Sequence, residues 1–280
     1  MPPIYTREEL ATLLETKKSI LVVGPPFTGK TRSLWTLVAV LKKRNLGPLH
    51  LVDIDEKCDS LYEALTTEPD AVREKLIDYL VVHRIRTKGK INLTAQKVVQ
   101  DKDTFNLLAR ELNEFENHVD PQTGLWKSGF ECGAVIVDSL SKFNEIAEEF
   151  IAATLGHDFG SQGTDARNDY TMLMSKVKQT IYGLKSLPCM SGWIAHEMLV
   201  QSGVDGKITL LPSVAGKNTL APSLAKNFNC VLYSTTKKLK DREGVQYMWQ
   251  VQPEGPVKSA GITGKTGFPL FIEQDYRKIL

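Results

Sequence analysis

The residues best equipped for chemistry lie in one run, Gly24-Pro25-Pro26-Phe27-Thr28-Gly29-Lys30-Thr31. It matches glycine, any four residues, glycine, lysine, then serine or threonine at every fixed position. A short apolar run, Ser19–Val23, precedes it and reads as a buried strand. Leu34, Leu37, Val38 and Leu41 follow at helical spacing. Strand, glycine-bounded loop and helix are the context a phosphate-binding loop requires. Its backbone N–H groups turn inward around phosphates, and the helix N-terminus adds its dipole. The motif therefore predicts a nucleoside triphosphate held by residues Gly24, Pro25, Pro26, Phe27, Thr28, Gly29, Lys30, Thr31 and Arg32. Lys30 is expected at the β- and γ-phosphates, and the Thr31 hydroxyl on Mg²⁺. ATP and Mg²⁺ are the cofactors implied.

A phosphate loop by itself leaves the metal half held and a water nucleophile unplaced. Ala134-Val135-Ile136-Val137-Asp138-Ser139 is a continuous β-branched run ending in an acid, as strands buried on both faces do. Asp138 is the expected carboxylate for Mg²⁺, on a strand beside the loop strand; its competing role is to cap the following helix. His50–Asp55 is a second buried strand, and Asp55 and Glu56 at its end are candidates to activate or orient water. Asp53, two residues earlier, would sit deeper.

The elements that must position these groups alternate. Further strands are expected at Tyr79–Val82, Gly192–His196, Cys230–Ser234 and Gln246–Val251. Helices are expected after the Thr6-Arg7-Glu8-Glu9 capping box, from the loop to a left-handed cap at Gly47, and over Ala71–Tyr79. A segment beginning at Glu56, Asp59 and Leu61–Leu65, with Asp103–Val119, Leu140–Ile151 and Tyr170–Leu187, completes the set. His157–Asp169 and Gln201–Asn218 read as exposed loops. This alternation predicts an α/β fold, a doubly wound and mostly parallel sheet with antiparallel strands toward the C-terminus. Residues 1–252 form the expected domain, with an insertion at about 86–130; residues 253–280 read as a tail. A second Gly264-Lys265-Thr266 has no strand before it and reads as a turn.

Bulk composition narrows the classes. The 280 residues carry a net charge of +2, so any nucleic-acid contact must come from a local patch. Candidates are the basic runs Arg84–Lys90 and Lys237–Arg242. Cys58, Cys132, Cys189 and Cys230 are far apart, which suits reduced thiols of a cytosolic protein and indicates neither zinc nor a disulfide framework. No apolar run is long enough to span a membrane.

The succession of G-P-P-F-T-G-K-T, V-D-I-D-E and A-V-I-V-D-S resembles the RecA core. With W-I-A-H-E, L-P-S-V-A-G-K and F-N-C-V-L-Y it is similar to phage-encoded RecA-like ATPases, which include single-strand annealing and recombination proteins. The resemblance covers roughly residues 18 to 235. It implies that Asp55, with Asp in place of the family's usual Glu, orients the hydrolytic water, and that His196, in place of the usual Gln, senses the γ-phosphate. It implies loops facing DNA at His157–Asp169 and Gln201–Asn218, the second carrying Lys207 and Lys217. Lys237, Lys238, Lys240 and Arg242 fall where the family supplies a cation to a neighbouring subunit's γ-phosphate.

The function implied is a Mg²⁺-dependent ATPase acting on single-stranded DNA in phage recombination, annealing or replication. A homo-oligomeric ring or filament, a single-strand-binding or replication protein as partner, and a bacterial cytoplasm are implied with it. Two other classes share the loop: a small-molecule kinase, which the scattered arginines disfavour, and a nucleotide-gated DNA-binding scaffold without essential hydrolysis.

Overall fold

The computed structural model describes residues 18–86, 89–92, 97–100, 103–160, 166–201, 208–214, 220–239, 245–263 and 267–280. The N-terminal capping box, Lys207, Lys217, Lys240, Arg242 and Gly264-Lys265-Thr266 lie outside these residues. In chain order the strands are β1 (Ser19–Gly24), β2 (Leu49–Asp53), β3 (Leu80–Arg84), β4 (Gly89–Asn92), β5 (Lys97–Gln100) and β6 (Ala134–Asp138). They continue with β7 (Met190–Gln201), β8 (Ile208–Pro212), β9 (Cys230–Lys238), β10 (Val245–Gln250), β11 (Gly261–Ile262) and β12 (Phe271–Glu273). The helices are α1 (Leu34–Lys43), α2 (Asp59–Thr67), α3 (Pro69–Arg73), α4 (Asp103–Asn117), α5 (Leu140–Leu155), α6 (Ala166–Ser186) and α7 (Leu220–Leu224).

Every residue of β1, β2 and β6 is buried, which is why these segments read as unbroken apolar runs rather than alternating ones. The sheet order is β12-β10-β9-β1-β7-β6-β2-β3. From β9 to β3 neighbouring strands run parallel, while β10 and β12 close one edge antiparallel. The fold is thus α/β with a mostly parallel mixed sheet.

Side chains alternate across that sheet. Ile20, Val22, Leu49, Leu51, Ala134, Ile136 and Ile194 pack with α1 and α2. Leu21, Val23, Val52, Val135, Val137 and Trp193 pack with α4, α5 and α6 on the other face.

Several local expectations are corrected. The strand of Asp138 is not beside the loop strand, because β7 pairs with both β1 and β6. His196 is not at a strand end: β7 runs on to Gln201, where β8 pairs with it, so the expected loop at Gln201–Asn218 contains a strand. The helix expected at Ala71–Tyr79 divides into α3 and a 3₁₀ turn at Leu76–Tyr79, with left-handed Lys75 between them.

At the end of α1 the left-handed cap is Asn45 (φ 53°) rather than Gly47. Asn45 N–H donates to Lys42 O and Leu46 N–H to Leu41 O, the paired bonds of a Schellman motif. Gly47 (φ 92°) is required both by that backbone conformation and by space, since a Cβ there would lie 2.9 Å from Cys132 N.

In the region expected as an insertion, β4 and β5 form a separate hairpin. On α4, Leu108, Leu112 and Phe115 are buried at helical spacing. The C-terminal residues add β12 to the sheet and bury Tyr276.

Candidate functional site

The parallel strands deliver their C-terminal tips to one edge, and alternation decides which side chains reach it together. Gly24 pairs in register with His196, Asp138 with Ile194 and Asp53 with Asp138. Asp53, Asp138 and His196 therefore share the α1 face with Gly24. Beyond β2, Ile54 N–H (2.7 Å) and Asp55 N–H (3.2 Å) both donate to Asp138 O, which holds the turn carrying Asp55 against the tip of β6.

The loop itself is a donor cradle. The amides of Phe27 to Arg32 donate to no group among the described residues, as the orphan donors opening a helix do. Gly29 takes φ 76°, and a Cβ on it would lie 2.8 Å from the Tyr247 ring. Lys30 Nζ sits 2.9 Å from Gly24 O and 2.6 Å from Pro25 O. Burial pulls the Lys30 ammonium down to about 8, against the opposing charges of Asp138, Glu197 and Asp55.

Thr31 Oγ1 donates to Asp138 Oδ2 at 2.5 Å. Burial pushes the Asp138 carboxyl up to about 6, with the Thr31 hydrogen bond acting the other way. A hydroxyl and a carboxylate oxygen side by side are the hard oxygen donors Mg²⁺ takes. Asp138 is buried and, among the described residues, makes no ion pair within 4.0 Å, although the Lys30 charge acts on it, so these residues fit the metal.

Asp55 accepts from Ser139 Oγ at 3.0 Å and faces His196 Nε2 at 3.5 Å. Burial raises the Asp55 carboxyl, but the hydrogen bonds from His196 and Ser139 outweigh it and hold it below the usual range. Ser139 also caps α5 by accepting from Lys142 N–H. The capping role open to Asp138 thus belongs to its neighbour. Glu56, with φ 54°, is exposed on the same cleft and makes no hydrogen bond or ion pair among the described residues.

A cleft of about 650 Å³ joins the loop, Asp55, Glu56, Asp138, His196 and Tyr247. A second, of about 370 Å³, shares Gly29, Arg32 and Tyr247 with it and continues toward Trp35, Gln246 and Gln274.

No protein-family model matches this chain. No curated protein matches its sequence either.

The other expected residues are placed as follows. Arg32 lies on the cleft rim with its guanidinium 2.6 Å from Glu68. Asp53 is fully buried; its Oδ1 accepts from Lys57 N–H, and Arg84 Nε lies 3.8 Å from Oδ2. Arg84 also donates to Cys58 Sγ, so this member of the basic run braces the turn after β2. Lys237 and Lys238 are exposed on β9 and line neither cleft. In the first turn of α6, Asp169 is fully buried and accepts from Gly160 N–H.

Sequence reasoning missed Ser139, Glu197, Tyr247 and Gln274. Ser139 and Glu197 stand next to singled-out residues, in I-V-D-S and W-I-A-H-E. Gln274 carries no sequence signal, because it bonds Thr28 O from 246 positions away.

Proposed function

We propose that this chain is a Mg²⁺-dependent ATPase of RecA-like type that acts on single-stranded DNA. The observation carrying the reading is Thr31 Oγ1 against Asp138 Oδ2, beside Lys30 and across the cleft from Asp55. In this reading the loop amides and the Lys30 ammonium bind the β- and γ-phosphates. Thr31 and Asp138 hold Mg²⁺, which when bound supplies charge neutralisation at the phosphoryl oxygens. Asp55 orients the attacking water through its carboxylate, and Ser139 and His196 fix that carboxylate's direction. His196 meets the γ-phosphate side of the cleft.

The DNA half of the proposal is supported by β7. The strand that holds His196 in the cleft runs on to exposed Leu199 and Gln201. Assembly into a ring or filament on DNA is supported by Lys237 and Lys238, which are exposed on β9.

The test is phosphate release from ATP with Mg²⁺, with and without single-stranded DNA, at two salt concentrations. Expected are hydrolysis abolished by Lys30→Ala and a DNA stimulation that weakens steeply with salt. Turnover indifferent to DNA would remove the DNA half; turnover unchanged in Lys30→Ala would remove the whole.

A further inference from the structure

The loop does not stand on β1 and α1 alone. Gln274, just after β12, is more than nine-tenths buried. Its Nε2 donates to Thr28 O in the phosphate loop at 2.9 Å and to Met248 O in β10 at 3.0 Å. Both partners are carbonyl oxygens, so the amide nitrogen must face them whichever way the side chain is drawn. Its Oε1 is buried without a hydrogen-bond partner among the described residues. That oxygen lies 3.0 Å from where a Cβ on Gly29 would stand, with the Tyr247 ring beside it. Gln274 and Tyr247 thus form the seat on which the turn at Thr28 and Gly29 rests.

Tyr276 completes the support from the other side. Its N–H donates to Thr36 Oγ1 in α1 at 2.9 Å. Thr36 Oγ1 in turn donates to Ser33 O, and Ser33 Oγ to Lys30 O. Residues 274–276 therefore brace the chain both two residues before Lys30 and just after it.

We propose that Gln274 is a positioning residue of the phosphate loop, setting the direction of its amides by fixing the Thr28 carbonyl. The proposal rests on the nucleotide-binding reading above. Because the loop amides recognise phosphates, the effect must appear with a polyphosphate that has neither base nor ribose.

The experiment compares wild type with Gln274→Met and Gln274→Glu. Calorimetry measures binding of ATP and of tripolyphosphate, each with Mg²⁺, and steady-state hydrolysis is followed in parallel. Gln274→Met keeps the length and packing without the N–H donors, so it carries the test if Gln274→Glu does not fold. Expected is a Kd weaker by about tenfold for both ligands, the scale of one buried hydrogen bond. KM should rise with it and kcat change little, since Asp55 and Asp138 are untouched.

A lower fraction of binding-competent protein with unchanged Kd would mean a structural role only and overturn the proposal. Loss for ATP but not for tripolyphosphate would place Gln274 on the base or ribose and overturn it too. If wild type binds neither ligand, the nucleotide reading falls along with this one. If wild type binds and the variants bind equally, this one falls alone.

Discussion

Asp138 and Lys30 are two buried charges whose proton affinities converge from opposite sides. Burial lifts the Asp138 carboxyl to about 6 and lowers the Lys30 ammonium to about 8. If the proposed function holds, a proton competes with Mg²⁺ for Asp138 as pH falls through 6. As pH rises through 8 the free lysine loses its proton, and binding a triphosphate must recover one. Affinity for ATP with Mg²⁺ should therefore be greatest between about pH 6 and 8. Calorimetry from pH 5 to 9 should show both limbs, and Asp138→Asn should lose the acid limb while keeping the alkaline one.

The turn between β1 and α1 and the burial of Asp138 at the end of β6 were legible in the sequence because their signals are local, a contiguous motif and an acid ending a β-branched run. The choice between Asp55 and Glu56 was not. Both carboxylates line the cleft, and only the folded chain gives Asp55 its partners Ser139 and His196, which are distant in sequence. Gln274 was invisible for the opposite reason, as its partners are backbone carbonyls and no side-chain pattern records them.

Among the elements, α1 shows how a local rule can be right and misplaced. Both Asn45 and Gly47 have positive φ, yet the Schellman bonds run through Asn45. Asn45→Gly should leave stability near wild type. Asn45→Ala should cost about 1 kcal/mol in urea unfolding, because alanine meets a left-handed backbone with no side-chain compensation. Strand composition was legible in the same way, since full burial of β1, β2 and β6 shows as unbroken apolar sequence. Lateral order was not: apolar runs do not say which strand lies beside which, and β7 separates β6 from β1. Nor was the length of β7, whose outer half is only partly buried and is held by pairing with β8.

The whole molecule is graded in stability from the centre of the sheet outward. β1 is paired on both sides and covered on both faces, whereas β12 has three residues at an edge. Amides of β1 should exchange with solvent only on global unfolding, and those of β12 by local opening. Hydrogen exchange followed by mass spectrometry should find this order. Adding ATP and Mg²⁺ should slow exchange at residues 27–32 and, through Gln274, at 271–276.

Strand β7 crosses that gradient. His196 lies in the cleft, while Leu199, three residues further on, is 70% exposed. Three residues of strand span about 10 Å, and pairing with β8 keeps that span stiff. One continuous paired strand therefore joins the wall of the cleft to an exposed apolar side chain in water, with no loop between them.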